Sequence, residues 1–174
     1  MKVFLTGGPG SGKSTVMLKV IERLRAEGLK IGGITTPEVR GAGGYRVAFK
    51  VVDLASGEEG TLASVDQSAG PRVGKYRVNI QDFERVALPA LDFALEECDV
   101  VCMDELGTME FFSAKFKQKV KEVLESGKPV VAVVHRNYAR LYEKMGTMFQ
   151  VTPENREKIT GKTAFIFEAY RKAK

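Results

Sequence analysis

Tryptophan is absent, histidine occurs once and cysteine twice. Without a second Cys/His pair no metal or redox centre of that kind is expected. Cys98 and Cys102 flank Asp99-Val100-Val101. If that segment is extended, their Cα atoms lie ~13 Å apart at ~3.3 Å per residue, whereas a disulfide needs less than about 7 Å. Both are therefore read as reduced, partly buried thiols. No apolar run approaches the ~20 residues that span a bilayer, and the N-terminus enters a strand-like segment instead of a signal-peptide pattern. A cytoplasmic protein with no membrane partner is expected. An excess of basic residues is also modest: 27 Lys+Arg against 22 Asp+Glu leaves +5. That charge suits phosphate-bearing ligands, but it is dispersed among acids rather than clustered in a stripe, so nucleic acid is not the expected partner.

What is present is enough apolar material, 44% of 174 residues, to fill one core. One domain over residues 1–174 is expected. Short apolar strands alternate with stretches of helical period, which predicts an α/β fold: a mostly parallel sheet with helices on both faces. Lys2–Thr6 reads as a first buried strand and residues 13–27 as a helix, with Val16, Val20, Ile21 and Leu24 on one face and Gly28 as its stop. Residues 30–35 form a second strand in which Gly32 and Gly33 mark a close backbone approach. Residues 40–79 change character: Gly41, Gly43 and Gly44 precede an extended run over 45–54, a Ser56-Gly57 turn and further short strands, the pattern of a small antiparallel insertion. A helix over 81–97 should be kinked or split by Pro89. Residues 99–104 and Val130–Val134 are buried strands, with a Ser-capped helix over 113–126 between them. A short helix over 138–144 and a strand over 148–151 follow, and Thr152-Pro153 reads as the start of a C-terminal helix.

Gly7-Gly8-Pro9-Gly10-Ser11-Gly12-Lys13-Ser14 fits G-x-x-x-x-G-K-[ST] between a predicted strand and a predicted helix, the context that pattern requires. Such a loop turns N–H groups toward an anion, the helix start adds its positive dipole end, and Lys13 adds a point charge at the β- and γ-phosphates. Ser14 would meet Mg²⁺ through its hydroxyl, and Thr15 the α-phosphate. Asp99 to Cys102 and Met103 run into Asp104 and Glu105, an apolar strand ending in two carboxylates. Asp104 would hold the metal through a water, and Glu105 would orient the attacking water. His135 ends another apolar strand, where it reads equally as a γ-phosphate sensor or as a hydrogen-bonded structural residue. Arg40, Arg46, Arg72, Arg77, Arg136 and Arg156 are all candidates for neutralising transition-state charge, with Arg136 favoured by its place beside His135. Arg156 and Asn155, at a helix start, are candidates for contact with the nucleotide base.

The loop from Gly7 to Thr15, the run Asp104-Glu105-Leu106-Gly107-Thr108-Met109-Glu110, His135-Arg136 and Thr152-Pro153-Glu154-Asn155-Arg156 together resemble the small thermophile-type P-loop nucleoside-triphosphatase family that includes the human cancer-related nucleoside triphosphatase. The likeness spans nearly the whole chain, and Gly44-Tyr45-Arg46, Phe49, Asp53-Leu54 and Ser56-Gly57 are similar to that family's insertion. It implies a RecA-like fold and Mg²⁺-dependent conversion of nucleoside triphosphates such as ATP, GTP, CTP and UTP to diphosphates and phosphate, with broad base tolerance. Two other readings of the residues stay open: a small-molecule kinase, whose acceptor the 40–79 insertion would bind, and a nucleotide-controlled binding module.

Overall fold

The computed structural model describes residues 1–173. Its centre is β1 (Lys2–Thr6), in which Val3, Phe4 and Leu5 are all wholly buried. Successive side chains leave a strand on opposite faces. Val3 and Leu5 therefore join one core with α1 (Lys13–Ala26) and α5 (Arg156–Lys172), through Val16, Val20, Leu24 and Phe167, while Phe4 joins the other. That second core is built from α2 (Ile80–Glu97) and α3 (Ala114–Glu125), through Phe83, Leu91 and Phe116. Covered on both faces, the strand reads as a continuous apolar run rather than an alternation. The same reason explains Val130 to Val134, all buried in β9 (Val130–Val134). With β2 (Ile31–Thr35), β8 (Val100–Leu106) and β10 (Thr147–Gln150), these strands lie in the order β10-β1-β9-β8-β2, all parallel. The fold is the expected mostly parallel α/β sheet.

The helices follow the predicted faces with three corrections. Pro89 neither splits nor ends α2, which runs through it. Its neighbours Ala87, Ala90 and Leu91 are wholly buried, so packing against the sheet outweighs the lost backbone hydrogen bond, a cost of about 3 kcal/mol in an unsupported helix. Thr152-Pro153 does not begin α5. Asn155 Oδ1 accepts the Thr152 N–H at 2.8 Å and its amide donates to the Gln150 carbonyl at 2.9 Å, closing a turn, and the helix starts at Arg156. The helix expected over 138–144 is a 3-10 turn, Arg136–Tyr138, leading into the single-turn α4 (Ala139–Tyr142). Ser113 caps α3 as predicted, accepting the Phe116 N–H at 3.0 Å. Both cysteines are free and buried, and burial pushes their thiols up, which leaves them unreactive.

The insertion begins at Glu38, earlier than the glycine cluster suggests, with β3 (Glu38–Arg40) pairing β4 (Arg46–Asp53). It is no appendage. β4 pairs antiparallel with β2, and β5 (Glu59–Ser64), β7 (Tyr76–Val78) and β6 (Arg72–Val73) extend the same sheet. Asp82 fastens it to α2, accepting the Thr61 N–H at 2.6 Å and Arg85 Nε–H at 2.8 Å. Among the described residues no helix is long and apolar enough to cross a membrane.

Gly33 has φ of 111°, and a Cβ there would overlap the Cys102 carbonyl oxygen of the neighbouring strand. The close approach read from the glycine pair is thus backbone against backbone at Gly33, while at Gly32 it is the Cys98 and Ala94 side chains that lie close. Gly33→Ala is expected to cost about 3 kcal/mol, the sum of a left-handed backbone penalty and overpacking. Urea unfolding measures it, and a midpoint equal to the wild type would show that β2 and β8 can part without cost.

Candidate active site

β1 ends at Thr6, and the chain turns through the glycine-rich loop into α1 at Lys13. The loop is held from behind. Arg156, at the start of α5, donates from Nε to the Ser11 carbonyl at 2.8 Å and from Nη2 to the Gly10 carbonyl at 3.0 Å. Fixing those carbonyls fixes the planes of the peptides that follow, and with them the directions of the N–H groups. Gly12, at φ 98°, is where that guanidinium lies against the main chain, and a Cβ there would overlap it. Lys13 Nζ donates to the carbonyls of Gly7 at 3.1 Å and Gly8 at 3.0 Å, which keeps the ammonium curled over the loop. The buried Ser11 Oγ and Thr6 Oγ1 have no hydrogen-bond partner among the described residues. Unpaired buried hydroxyls at a strand end and in its loop are the kind of group that a bound oxyanion or ordered water satisfies.

The two carboxylates arrive from the far side of β9. Val133 pairs with Leu5 of β1 and with Asp104 of β8, so the P-loop and Asp104 stand level at the carboxyl ends of the strands. Ser14 Oγ donates to Asp104 Oδ1 at 3.3 Å. Asp104 is 3% exposed, and burial, reinforced by the Glu105 charge and opposed by Ser14 and Lys13, pushes it up to about 7. Burial also raises Glu105, with Lys13 and His135 opposing. A third carboxyl, Glu110, sits in the 3-10 turn Glu110–Phe112, 5% exposed and held well above the usual range, first by burial and then by Glu105. The residue types of the sequence suggested no function for Glu110. The only signal was an acid between Met109 and Phe111, two residues that pack on the core.

Ser14 and Asp104 are hard oxygen donors and fit Mg²⁺. Among the described residues no group of three or more His, Cys, Asp or Glu could hold a metal.

A cleft of about 670 Å³ joins these parts. Gly7, Pro9, Gly10, Gly12 and Lys13 to Thr15 form its floor, and Glu105, His135, Arg136 and Arg156 also line it. His135 Nδ1 accepts the Asn137 N–H at 3.3 Å, which places the proton of a neutral ring on Nε2. Of the six candidate arginines, Arg46, Arg136 and Arg156 line the cleft, while Arg40 and Arg77 bond the Gly44 and Gly70 carbonyls within the insertion. Arg72 and Asn155 do not line it, and the Asn155 amide is engaged in its own turn. The sequence suggested only that the insertion could hold an acceptor and named no residue of the opposite wall: Thr36 and Pro37, which follow β2, Phe49, Leu62 and Val73 from the insertion, and Met109 from the segment after β8.

A family model described as NTPase matches residues 2–164. The chain is 44% identical to nucleoside-triphosphatase THEP1 of Methanocaldococcus jannaschii over 159 residues, 91% of this chain and 92% of that one. It is 46% identical to the protein of that name from Methanosarcina barkeri, covering 98% and 99%. The crystal structure of THEP1 from the hyperthermophile Aquifex aeolicus superposes with a TM-score of 0.84 at 33% identity, covering 97% and 99%. The solution structure of a human cancer-related nucleoside triphosphatase gives 0.79, also at 33% identity, with 97% of each chain covered.

The raised Asp104 carboxyl has a consequence for the metal-free protein. Between about pH 4 and 7 the folded chain keeps a proton that the unfolded chain has lost, so stability falls as pH rises through that window, by about 1.4 kcal/mol per unit for one fully shifted group. Asp104→Asn is expected to flatten the fall. Denaturant midpoints across that pH range measure it, and an unchanged slope in the variant would assign the titration to another group.

Proposed function

The chain belongs to the NTPase family and is a nucleoside-triphosphatase, and from that premise we propose that it cleaves the β–γ phosphoanhydride of ATP, GTP, CTP and UTP in a Mg²⁺-dependent reaction carried by Lys13 and Glu105. The observation that carries the reading is the 3.3 Å bond from Ser14 to Asp104, which sets the phosphate loop against a strand ending in two carboxylates. In this reading the N–H groups of the loop over residues 7–12 and the N-terminus of α1 surround the α- and β-phosphates. Thr15 meets the α-phosphate. Lys13 leaves its two loop carbonyls for the β- and γ-phosphate oxygens and neutralises charge that grows there in the transition state. Ser14 and, through a water, Asp104 would hold Mg²⁺, which would supply further neutralisation of phosphate charge.

Glu105 orients a water in line with the bond to be broken and receives its proton. Burial, which raises its proton affinity, suits it to that task. The water oxygen bonds to the γ-phosphorus, the bond to the bridging oxygen breaks with its electron pair, and diphosphate and phosphate leave. His135 and Arg136, on the cleft wall beside Glu105, meet the γ-phosphate. Arg156 shapes the loop, and the base extends toward the turn that carries it and Asn155. Because the grip is made by main-chain groups and Lys13 on phosphates common to every nucleotide, base tolerance is broad. The chain works in the cytoplasm without a membrane or nucleic-acid partner.

Phosphate release from the four nucleotides, measured with no added acceptor, tests the assignment. Lys13→Ala is expected to remove it, Glu105→Gln to lower kcat by about 10²-fold or more with nucleotide still bound, and chelation of Mg²⁺ to abolish it reversibly. Full turnover by Glu105→Gln would remove Glu105 from the chemistry.

A further inference from the structure

A second cavity, of about 380 Å³, lies at the opposite end of the strands from the phosphate site. Val100 opens β8, Pro129 directly precedes β9 and Leu29 comes just before β2, and all three line it. It therefore sits at the amino ends of a parallel sheet whose carboxyl ends carry the loop and the acids, and the nucleotide reaction makes no use of it. Its size, and its mixture of apolar lining with a few polar side chains, are those of a small-molecule site.

The lining selects a chemistry. Phe167 and Tyr170, three residues apart on α5 and so on one face of that helix, both line the cavity and suit a flat ring. Lys128 and Arg171 stand among the lining residues against a single carboxylate, Asp99, which already accepts the Lys30 N–H at 2.8 Å. Lys128 Nζ donates to the Cys98 carbonyl at 2.6 Å and Arg171 Nη1 to the Glu27 carbonyl. Each cation has N–H groups beyond the one so used. One positive charge is thus unbalanced, with donors at hand for an anion.

The bond from Arg171 also joins two helices. α1 begins at Lys13 and α5 at Arg156, the two side chains that bond the loop carbonyls, and Glu27 closes α1. The helices that start at the phosphate site are therefore tied together at their far ends, about 20 Å away at ~1.5 Å per residue, beside this cavity. A carboxylate is a stronger acceptor than a peptide carbonyl, so one bound here draws the guanidinium off Glu27. Ion pairs between the same helices, Lys19 with Glu157 and Arg23 with Glu168, remain in place and keep the effect small.

We propose that this cavity is an effector site for a small aromatic carboxylate, and that its occupant weakens nucleotide binding by releasing Arg171 from the end of α1. The effect on nucleotide rests on the reading above that the loop and Lys13 grip the phosphates, whereas binding of the effector does not. By linkage, nucleotide weakens the effector by the same factor.

The test uses 2-naphthoate and 2-naphthamide as matched probes, titrated by calorimetry into the full chain with and without Mg²⁺ and a non-hydrolysable ATP analogue. Naphthoate is expected to bind about fivefold tighter than the amide and to weaken the analogue about threefold. Arg171→Ala is expected to bring the two probes to about equal affinity, and to weaken the analogue by the same factor without any probe, after which naphthoate has no further effect on it. Ser126→Trp, at an exposed position of the lining, fills the space and is expected to exclude both probes, and Tyr170→Ala, which removes one ring, to weaken both about fivefold. Binding of neither probe overturns the site, as does undiminished binding to Ser126→Trp and Tyr170→Ala, which would place the probes elsewhere. Equal affinities in the wild type overturn the choice of an anion. An analogue affinity that naphthoate leaves unchanged overturns the coupling. Phosphate release by the wild type without probes reports separately on the hydrolysis reading, so either claim can fail without the other.

Discussion

Val133 is the residue on which the site turns. It pairs with Leu5 on one side and Asp104 on the other, so β9 acts as a spacer that brings the phosphate loop and the acidic strand end to one level. In a strand a slip of one residue carries every side chain to the opposite face. Moved by one, Asp104 would point into a core and Ser14 would lose its partner. The register is protected by burial: β9 is buried along its whole length, β1 and β8 almost wholly, so any slip would set core side chains against the wrong helices. Stability and catalytic geometry therefore draw on the same contacts.

Burying carboxyls in that position has an electrostatic cost, visible in the raised proton affinity of Asp104, Glu105 and Glu110. The Glu105 charge raises both Asp104 and Glu110, and a proton on any of them relieves the repulsion. Lys13 provides part of that relief at Asp104 and Glu105. The rest is left to whatever occupies the cleft, so ligand occupancy and the protonation of these carboxyls are coupled.

The insertion changes what the fold can do. A parallel sheet with helices on both faces already supplies a loop and an acid at the carboxyl ends of its strands. Continuing that sheet with antiparallel strands, fastened to α2 through Asp82, raises a second wall opposite the loop and turns an open edge into a cleft. The added strands range from the two residues of β6 to the eight of β4, the longest strand described, and they contribute Phe49, Leu62 and Val73 to the lining of the cleft.

Much was determined by the sequence alone, and by local physics. The loop from Gly7 to Ser14 declares itself because each position answers a local demand for tight turns, free N–H groups and a cation. The buried strands declare themselves because residues covered on both faces must be apolar throughout, and Ser113 does so as a cap. Tertiary structure decided whatever depended on distant partners. Pro89 stays within α2 because flanking residues are packed against a sheet that no local rule can see. Arg156 became the residue that clasps Gly10 and Ser11 because α5 returns to the loop from 145 residues away in sequence. Glu110 is buried and Phe49 faces the cleft for the same reason. Periodicity reports which face of an element is apolar, while which element meets that face is a property of the assembled chain.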